Sequence, residues 1–201
     1  GSLLALRLAQ KGNRITVYEK RPDMRKTNIS AGRSINLALS DRGLRALTLA
    51  GIDDDIDALI IPMHGRLLHH LNHEKNFVKY SGREGEWINS ISRGGLNRLL
   101  IEKAEATGQV EFYFDTECID ADLEKGNVTI KDAKSGQHKI ITADVIFGTD
   151  GAGSAIRNAY LTHSSKYRFD FSIKYQSTGY KELEIPAKID GNFRLEKNAL
   201  H

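Results

Sequence analysis

Apolar and polar residues recur along the chain with two periodicities, one typical of helices and one of strands, which predict a protein of mixed helices and strands. Residues 2–10 (SLLALRLAQ) are apolar at most positions with one interior charge, so they predict a mostly buried helix that is closed by Gly12. The run Ile15-Thr16-Val17-Tyr18 is β-branched and aromatic, and it predicts a strand that ends at Glu19. The chain therefore opens with a helix, a glycine turn and a strand with an acid at its end.

This order is that of the second half of a dinucleotide-binding βαβ unit. In such a unit a glycine-rich turn lets the backbone approach a pyrophosphate, and an acid about 20 residues later binds the ribose hydroxyls. If Gly1 is the last glycine of the turn, Glu19 has the expected spacing. We then expect the first strand and the other glycines to lie outside this chain. The alternative is a helix–strand pair of any α/β protein behind an unrelated Gly-Ser.

The same two periodicities predict the helices and strands of the rest of the chain. Helical spacing predicts one helix that follows Ser40 and ends at Gly51, and a second over 96–106 that is closed by Gly108. Residues 20–34 are polar and basic, with Pro and Gly, and predict a surface loop. Strands are predicted for these segments: 63–71, 76–80, 87–92, 110–114, 118–123, 127–132 and 138–143.

A second glycine-rich turn lies in residues 143–160 (ADVIFGTDGAGSAIRNAY). Val145–Phe147 predicts an apolar strand, which runs into six residues that include Gly148, Asp150 and Gly151, and a helix begins near Ser154. Glycines permit close approach of a ligand to the backbone, and the start of a helix offers free N–H groups to a phosphate. A simple strand-to-helix turn would also favour glycine.

Composition narrows the classes of protein. The chain has 201 residues, 40% hydrophobic and 27% charged, enough for one or two globular domains with a sizeable core. The net charge of +3 is small and dispersed, and no basic run is interleaved with aromatics, which argues against nucleic-acid binding. No apolar run reaches the roughly 20 residues of a membrane span. Cys118 is the one cysteine, which excludes an internal disulfide framework and is compatible with a reducing compartment.

Other polar clusters point to no catalytic chemistry. His69, His70 and His73 have no acid or cysteine at ligand-like spacing, and neighbouring strand residues face opposite sides, so we expect solvated histidines and no metal site. The acidic run 53–57 predicts the first turn of a helix or a charged surface. Ser90 and Ser92 have no partnered His and Asp, so no hydrolase triad is supported.

The order of these landmarks resembles one family. A strand that ends in Glu, an Arg-rich loop, GRSINLALSDRG, SISRGGLNRLL and GTDGAGSAIR follow each other as in the class A flavoprotein aromatic hydroxylases, which have the p-hydroxybenzoate hydroxylase fold. Within that class the chain is similar to the kynurenine 3-monooxygenase family, through VYEKRPDMRK, GRSINLALS, IPM and a following strand with Arg66, and the GY and ELEIPA segment. The resemblance covers essentially the whole chain. Compared with that family, the chain lacks the leading glycines and the segments that would follow His201.

The resemblance implies an α/β fold in two parts. The first is a Rossmann-like FAD-binding domain with a β-meander, over residues 1–59 and 86–165, without its first strand. The second is part of an antiparallel substrate-binding sheet domain, over 60–85 and 166–201, whose C-terminal half lies outside the chain. We expect this chain alone to bind FAD poorly and to be inactive.

The resemblance also assigns site residues. It places Glu19 on the adenosine ribose, with Tyr18, Lys20 and Arg21 around the same pocket. The resemblance implies further cofactor contacts: Ala38 against the flavin, Arg93 on phosphate or ribose, and Cys118 through its backbone near the adenine. It also implies contacts from Gly1, Arg33 and Asp150, and those of Arg33 and Asp150 are the weaker assignments. An arginine suits phosphate because its planar guanidinium forks onto two oxygens. The alternative for Arg93 is a surface charge at a helix start.

Arg66 and Tyr80 are implied as ligands of the substrate carboxylate. The sequence reaches the same pair through a hairpin that turns around residues 72–74, which would set Arg66 directly opposite Tyr80. A one-residue slip in the turn would separate them. The alternative is an exposed cation–aromatic pair that only stabilises the hairpin.

The implied chemistry is hydroxylation of L-kynurenine to 3-hydroxykynurenine with NADPH, O2 and FAD, through a flavin C4a-hydroperoxide. Residues of the chain then bind and orient, and none is assigned as a catalytic acid or base. A related class A hydroxylase of another aromatic acid, or a non-catalytic flavin-binding fragment, stays an alternative. A bacterial protein of this kind would be cytoplasmic, whereas eukaryotic members carry a C-terminal membrane anchor that this chain does not contain.

Overall fold

A computed structural model describes residues 1–26, 36–179 and 185–201. The predicted cofactor residue Arg33 lies outside the described residues, as do the first three of the six residues of the ELEIPA segment. Within the described part, helices and strands are interspersed along the chain, which confirms the predicted α/β class.

Six helices and eleven strands are described. The helices are α1 Ser2–Ala9, α2 Asp41–Thr48, α3 Asp53–Asp57, α4 Arg93–Glu105, α5 Ala155–Thr162 and α6 Ser164–Tyr167. The strands are β1 Ile15–Tyr18, β2 Asn36–Leu39, β3 Ile60–Met63, β4 Gly65–His69, β5 Lys75–Lys79, β6 Ile88–Ser92, β7 Val110–Tyr113, β8 Thr116–Asp122, β9 Asn127–Asp132, β10 His138–Thr142 and β11 Ala199–Leu200. By their contacts they fall into two compact units, one of 1–28 and 103–180 and one of 29–102 and 181–201.

The first unit is built on a parallel strand pair. β1 pairs with β7 in the register Ile15 to Val110 through Tyr18 to Tyr113. α1 packs on this pair through small and apolar residues, and Gly12, at φ 85°, ends the helix before β1 as predicted. Parallel strands joined through a helix are the pattern of a βαβ fold, so this unit has the local architecture that the sequence predicts.

The rest of the first unit is an antiparallel meander with a helix on it. β8, β9 and β10 pair in sequence order, and the glycines of the two hairpin turns, Gly126 and Gly136, have φ of 64° and 70°. A bulge interrupts β8 between Cys118 and Asp120. α5 packs on β8. The predicted β-meander is therefore present.

The second unit contains two three-stranded sheets. In one, β6 lies between β2 and β3 and is antiparallel to both. In the other, β4 lies between β5 and the two-residue strand β11. Ile56 and Ile91 are the largest fully buried side chains among the described residues, and both belong to this unit.

The β4–β5 hairpin has a different register from the predicted one. Arg66 pairs with Val78, so the prediction that it lies directly opposite Tyr80 is wrong by two residues. The turn closes early because the His73 N–H donates to the His70 carbonyl (3.0 Å) and His73 adopts a left-handed backbone at φ 69°. Since side chains alternate with a period of two, this shift keeps Tyr80 on the same face as Arg66.

The predicted strand Val145–Phe147 is not a strand in the structure. The segment forms no ladder with any described residue, and Val145 and Phe147 are 65% and 54% exposed. A strand needs a partner from elsewhere in the chain, and a local apolar run cannot supply one. This prediction is wrong for the described structure.

Candidate functional site

The carboxyl end of β1 sets the position of Glu19. Its N–H donates to the Tyr113 carbonyl (2.9 Å), and its own carbonyl accepts from the Thr116 N–H (3.0 Å). The next corner is held in the same way, because the Asp115 N–H donates to the Arg21 carbonyl (3.1 Å). The backbone of Glu19 is therefore fixed between β1, β7 and β8, and its side chain extends from a rigid support.

The Glu19 carboxylate is paired with Arg21. The Arg21 backbone N–H and Nε donate to Oε1 at 3.0 and 2.9 Å, and Nη2 donates to Oε2 at 3.2 Å. Partial burial raises the pKa of Glu19, but the hydrogen bonds and charge of Arg21 outweigh burial, so the net pKa is lowered. Glu19 is an ionised acceptor at neutral pH, and about a third of its side chain is exposed.

Gly1 lies at the start of α1, near the same end of β1. A Cβ added to Gly1 would lie 3.0 Å from Thr149 Oγ1, so the helix start and the 148–153 turn approach closely. The Glu19 carboxylate is close enough to act electrostatically on the Gly1 nitrogen. The first turn of α1 has no acidic residue that would repel an anion. Gly1, Glu19 and Thr149 thus lie around one end of the first unit.

The neighbouring predicted residues have other local partners. The Lys20 ammonium lies 4.0 Å from Glu117 Oε1, with both side chains mostly exposed. Tyr18 stacks on Tyr113 with 5.5 Å between ring centroids. Cys118 is half-buried in β8, and its thiol pKa is raised first by burial and then by the charge of Asp150.

Asp150 caps α5 in the second glycine-rich turn. Its carboxylate accepts from Ser154 Oγ (2.6 Å) and from the Ala155 N–H (2.8 Å). Burial raises the pKa of Asp150, and these hydrogen bonds overcome that effect and lower it. Ser154 is the N-cap, and its Oγ accepts from the Arg157 N–H (3.0 Å). Asp150 has a clear structural role, and its predicted contact with the cofactor stays a prediction.

Arg157 was not singled out from the sequence, yet it shapes this turn. Its guanidinium donates to the Gly151 carbonyl (3.3 Å) and to the Ala152 carbonyl, and it lies 4.4 Å from the centroid of the Phe171 ring. The spacing Ser154-x-x-Arg157 was visible in the sequence, but the carbonyl acceptors in the turn were not.

In the second unit, Ala38 and Arg93 occupy different places. Ala38 is exposed in β2, directly opposite the half-buried Ser90 of β6, so the β2 side of this sheet face carries small side chains that leave room for a flat ring, with Ile61 of β3 on the other side of Ser90. Arg93 is the first residue of α4, and Ser92 Oγ accepts from the Gly95 N–H (3.2 Å) to cap that helix. Both positions suit the predicted roles, which stay predictions.

Arg66 and Tyr80 lie together in the second unit. Arg66 Cζ is 5.8 Å from the centroid of the Tyr80 ring, across the diagonal of the hairpin rather than directly opposite. Val78 and Leu200 pair with Arg66 on either side, and both are more than 40% exposed. Among the residues that the structure describes, the Arg66 guanidinium has no carboxylate partner. The geometry thus presents a cation and a phenol on one accessible face.

The histidine cluster has ordinary contacts. His69 Nε2 is 2.9 Å from His201 Nδ1, and His70 and His73 form the exposed turn. Over residues 1–26, 36–179 and 185–201, no group of three His, Cys, Asp or Glu side chains is arranged to hold a metal ion. Over those same ranges, no helix is both long and apolar enough to cross a membrane.

An ion-pair network in the first unit was missed from the sequence. Arg25 forks onto Asp23, with Nε to Oδ1 and Nη2 to Oδ2 both at 2.9 Å, and also binds Glu105 through Nη1 and Nη2. Its guanidinium lies 5.7 Å from the Phe114 ring centroid. Asp23 is only 8% exposed. No local pattern could reveal this network, since Glu105 is 80 residues from Arg25.

The comparisons with known proteins agree with each other on the family to which the chain is similar. The model of the FAD binding domain family matches residues 1–174. Over all 201 residues, the chain is 41% identical to the kynurenine 3-monooxygenase of Myxococcus xanthus and 44% identical to that of Flavobacterium johnsoniae. The chain spans 43% and 44% of the length of these two relatives.

Solved structures share the fold. The flavin-dependent monooxygenase PieE, in complex with FAD and substrate, superposes with a TM-score of 0.65 over 79% of this chain and 30% of its own, at 18% identity. The tetrameric form of 2-methyl-3-hydroxypyridine-5-carboxylic acid oxygenase superposes with a TM-score of 0.61 over 79% of this chain and 38% of its own, at 25% identity.

Proposed function

We propose, from the premise that this chain belongs to the FAD binding domain family, that it is the FAD-binding part of an aromatic monooxygenase that hydroxylates L-kynurenine with NADPH and O2. The observation that supports the kynurenine substrate is the 40–44% identity, over the whole chain, to relatives named kynurenine 3-monooxygenase. The chain spans less than half of those relatives, so the activity is proposed for the full-length protein.

The residues of the first unit fit the adenosine part of FAD. Glu19 offers an ionised, partly exposed carboxylate at the end of β1, which suits ribose hydroxyls. The start of α1 at Gly1 has no side-chain cap and no acid in its first turn, which suits a pyrophosphate. Tyr18, Lys20, Arg21, Cys118 and Asp150 are proposed around the same group.

In the second unit, Ala38 is proposed against the flavin and Arg93 on a phosphate or ribose. The small side chains of the exposed Ala38 and the half-buried Ser90 support the first assignment. When bound, FAD supplies the electron transfer from NADPH and the activation of O2 that a hydroxylation needs. The predicted domains 1–59 with 86–165, and 60–85 with 166–201, stay part of this proposal.

Arg66 and Tyr80 are proposed to bind the carboxylate of the substrate. The Arg66 guanidinium can donate two parallel hydrogen bonds to it, and the Tyr80 hydroxyl can add a third. Val78 and Leu200, the strand neighbours of Arg66, are apolar and add no charge that would compete for the carboxylate. These residues orient the substrate, and no described side chain has to act as an acid or base.

The test uses the full-length protein with bound FAD. NADPH oxidation is followed with and without L-kynurenine, and mass spectrometry follows the transfer of one oxygen atom to the ring. The proposal predicts faster NADPH oxidation and a hydroxylated product with L-kynurenine. Turnover with a benzoate or pyridine carboxylate instead would favour a related hydroxylase. FAD binding without any stimulated oxidation would favour a non-catalytic flavin-binding protein.

A further inference from the structure

Two cations follow Glu19 in the sequence, and the structure gives them different partners. Lys20 extends toward Glu117, 4.0 Å away, whereas Arg21 folds back onto Glu19 with three hydrogen bonds. The Arg21 side chain is 71% exposed, so packing against apolar neighbours does not hold it there.

The three hydrogen bonds occupy the lone pairs of the two Glu19 carboxylate oxygens to different extents. Oε1 accepts from the Arg21 backbone N–H and from Nε, which occupies both of its lone pairs. Oε2 accepts only from Nη2, at 3.2 Å, and keeps one lone pair free. The carboxylate is thus fixed in one orientation, with a single strong acceptor site open on Oε2.

We propose that Arg21 is a positioning residue, which fixes the Glu19 carboxylate so that the open lone pair of Oε2 accepts a ribose hydroxyl of the bound FAD. The inference rests on the proposed function, in which Glu19 binds the adenosine ribose. Arg21, proposed above beside the same group, is thereby given an indirect role through Glu19 in place of a direct contact with the cofactor.

Two physical effects support this role. A free glutamate side chain loses rotamer entropy when it binds a ligand, and the Arg21 fork removes that loss in advance. Arg21 also lowers the pKa of Glu19, so the carboxylate stays ionised and is the stronger acceptor. A lysine at this position would keep the positive charge but could not form the two-oxygen fork.

The test is a double-mutant cycle on FAD affinity in the full-length protein. The variants are Glu19→Gln, Arg21→Lys and the double substitution, with Kd measured by quenching of flavin fluorescence. Arg98→Lys is the control, because Arg98 and Glu102 form a comparably exposed arginine–glutamate pair at 2.8 Å on α4. Thermal unfolding of each variant shows whether its fold is intact.

Arg21→Lys is expected to weaken FAD binding about tenfold and Glu19→Gln about 30-fold, as for the loss of charge-assisted hydrogen bonds. The double variant should bind FAD as Glu19→Gln does, within about twofold, because Arg21 has no role once the carboxylate is gone. Arg98→Lys should bind as wild type.

Independent losses, with the double variant about 300-fold weaker, would overturn the proposal by showing that Arg21 contacts FAD directly. An unchanged Kd in Arg21→Lys would overturn it as well. An unchanged Kd in Glu19→Gln would be a different failure, since it removes Glu19 from the ribose site and contradicts that part of the proposed function itself.

Discussion

The Asp23–Arg25–Glu105 network allows a stability prediction that can be worked from distances and burial. Arg25→Ala removes the fork onto Asp23, with both bonds at 2.9 Å, and the contacts to Glu105. It leaves the Asp23 carboxylate, 8% exposed, without its guanidinium partner. Removal of one member of a buried pair costs roughly 3–5 kcal/mol. Water can reach Glu105, which is 35% exposed, so we expect a loss of about 2–3 kcal/mol in the free energy of unfolding.

The assay is denaturant unfolding followed by circular dichroism at pH 7. Arg98→Ala is the matched control, since it breaks an exposed i,i+4 pair and should cost no more than about 0.5 kcal/mol. A loss below about 1 kcal/mol for Arg25→Ala would refute the reasoning, because it would show that Asp23 needs no charged partner.

The same network gives a pH signature. Hydrogen bonds from Arg25 lower the pKa of Asp23 below its ordinary value of 3.8, against the effect of burial. A lowered pKa means that the folded state prefers the ionised form, so the stabilisation is complete above pH 3.8 and is lost as the pH falls through the folded-state pKa. The stability difference between wild type and Arg25→Ala should therefore shrink below about pH 4. A difference that stays constant down to pH 2 would contradict the assignment to Asp23.

Three further predictions concern the turns and the substrate face. Gly65→Ala places a methyl group 2.8 Å from Phe77 Cζ and against the Val78 carbonyl oxygen, so it should lower the unfolding free energy by about 2 kcal/mol, and a neutral effect would show that the hairpin shifts freely. Asp150→Ala removes the acceptor for Ser154 and for the start of α5, and thermal unfolding should show a loss of about 1–2 kcal/mol. Tyr80→Phe should raise the KM for L-kynurenine a few-fold and leave FAD affinity unchanged, because the ring next to Arg66 is kept and one hydroxyl is lost. A weaker FAD affinity in that variant would place Tyr80 at the cofactor.

Much of the fold could be predicted because its signals are local. The helix that is followed by the turn at Gly12, the strand that leads into Glu19 and the meander with turns at Gly126 and Gly136 all follow from periodicity and turn residues. Val145–Phe147 could not be predicted in the same way, since an apolar run becomes a strand only when another segment pairs with it.

In the candidate site, too, features with a local sequence signal could be predicted and features that depend on distant residues could not. The predicted register of the hairpin was wrong, yet Arg66 and Tyr80 still lie close together, because a two-residue shift keeps both side chains on one face. A one-residue shift would have separated them. The fork from Arg21 to Glu19 joins residues two apart, and its geometry still needed the backbone path at the end of β1. The role of Arg25 depends on Glu105, which no local pattern connects to it.

The most direct test of the account compares L-kynurenine with its decarboxylated analogue in the full-length protein and in Arg66→Ala. NADPH oxidation is measured over a range of each compound, and FAD content is checked in both proteins. If Arg66 binds the substrate carboxylate, wild type should prefer L-kynurenine about 10-fold or more in kcat/KM, as expected for charge-assisted hydrogen bonds to a carboxylate, and Arg66→Ala should lose most of that preference while it keeps FAD. An Arg66→Ala variant that discriminates between the two compounds as wild type does would contradict the account.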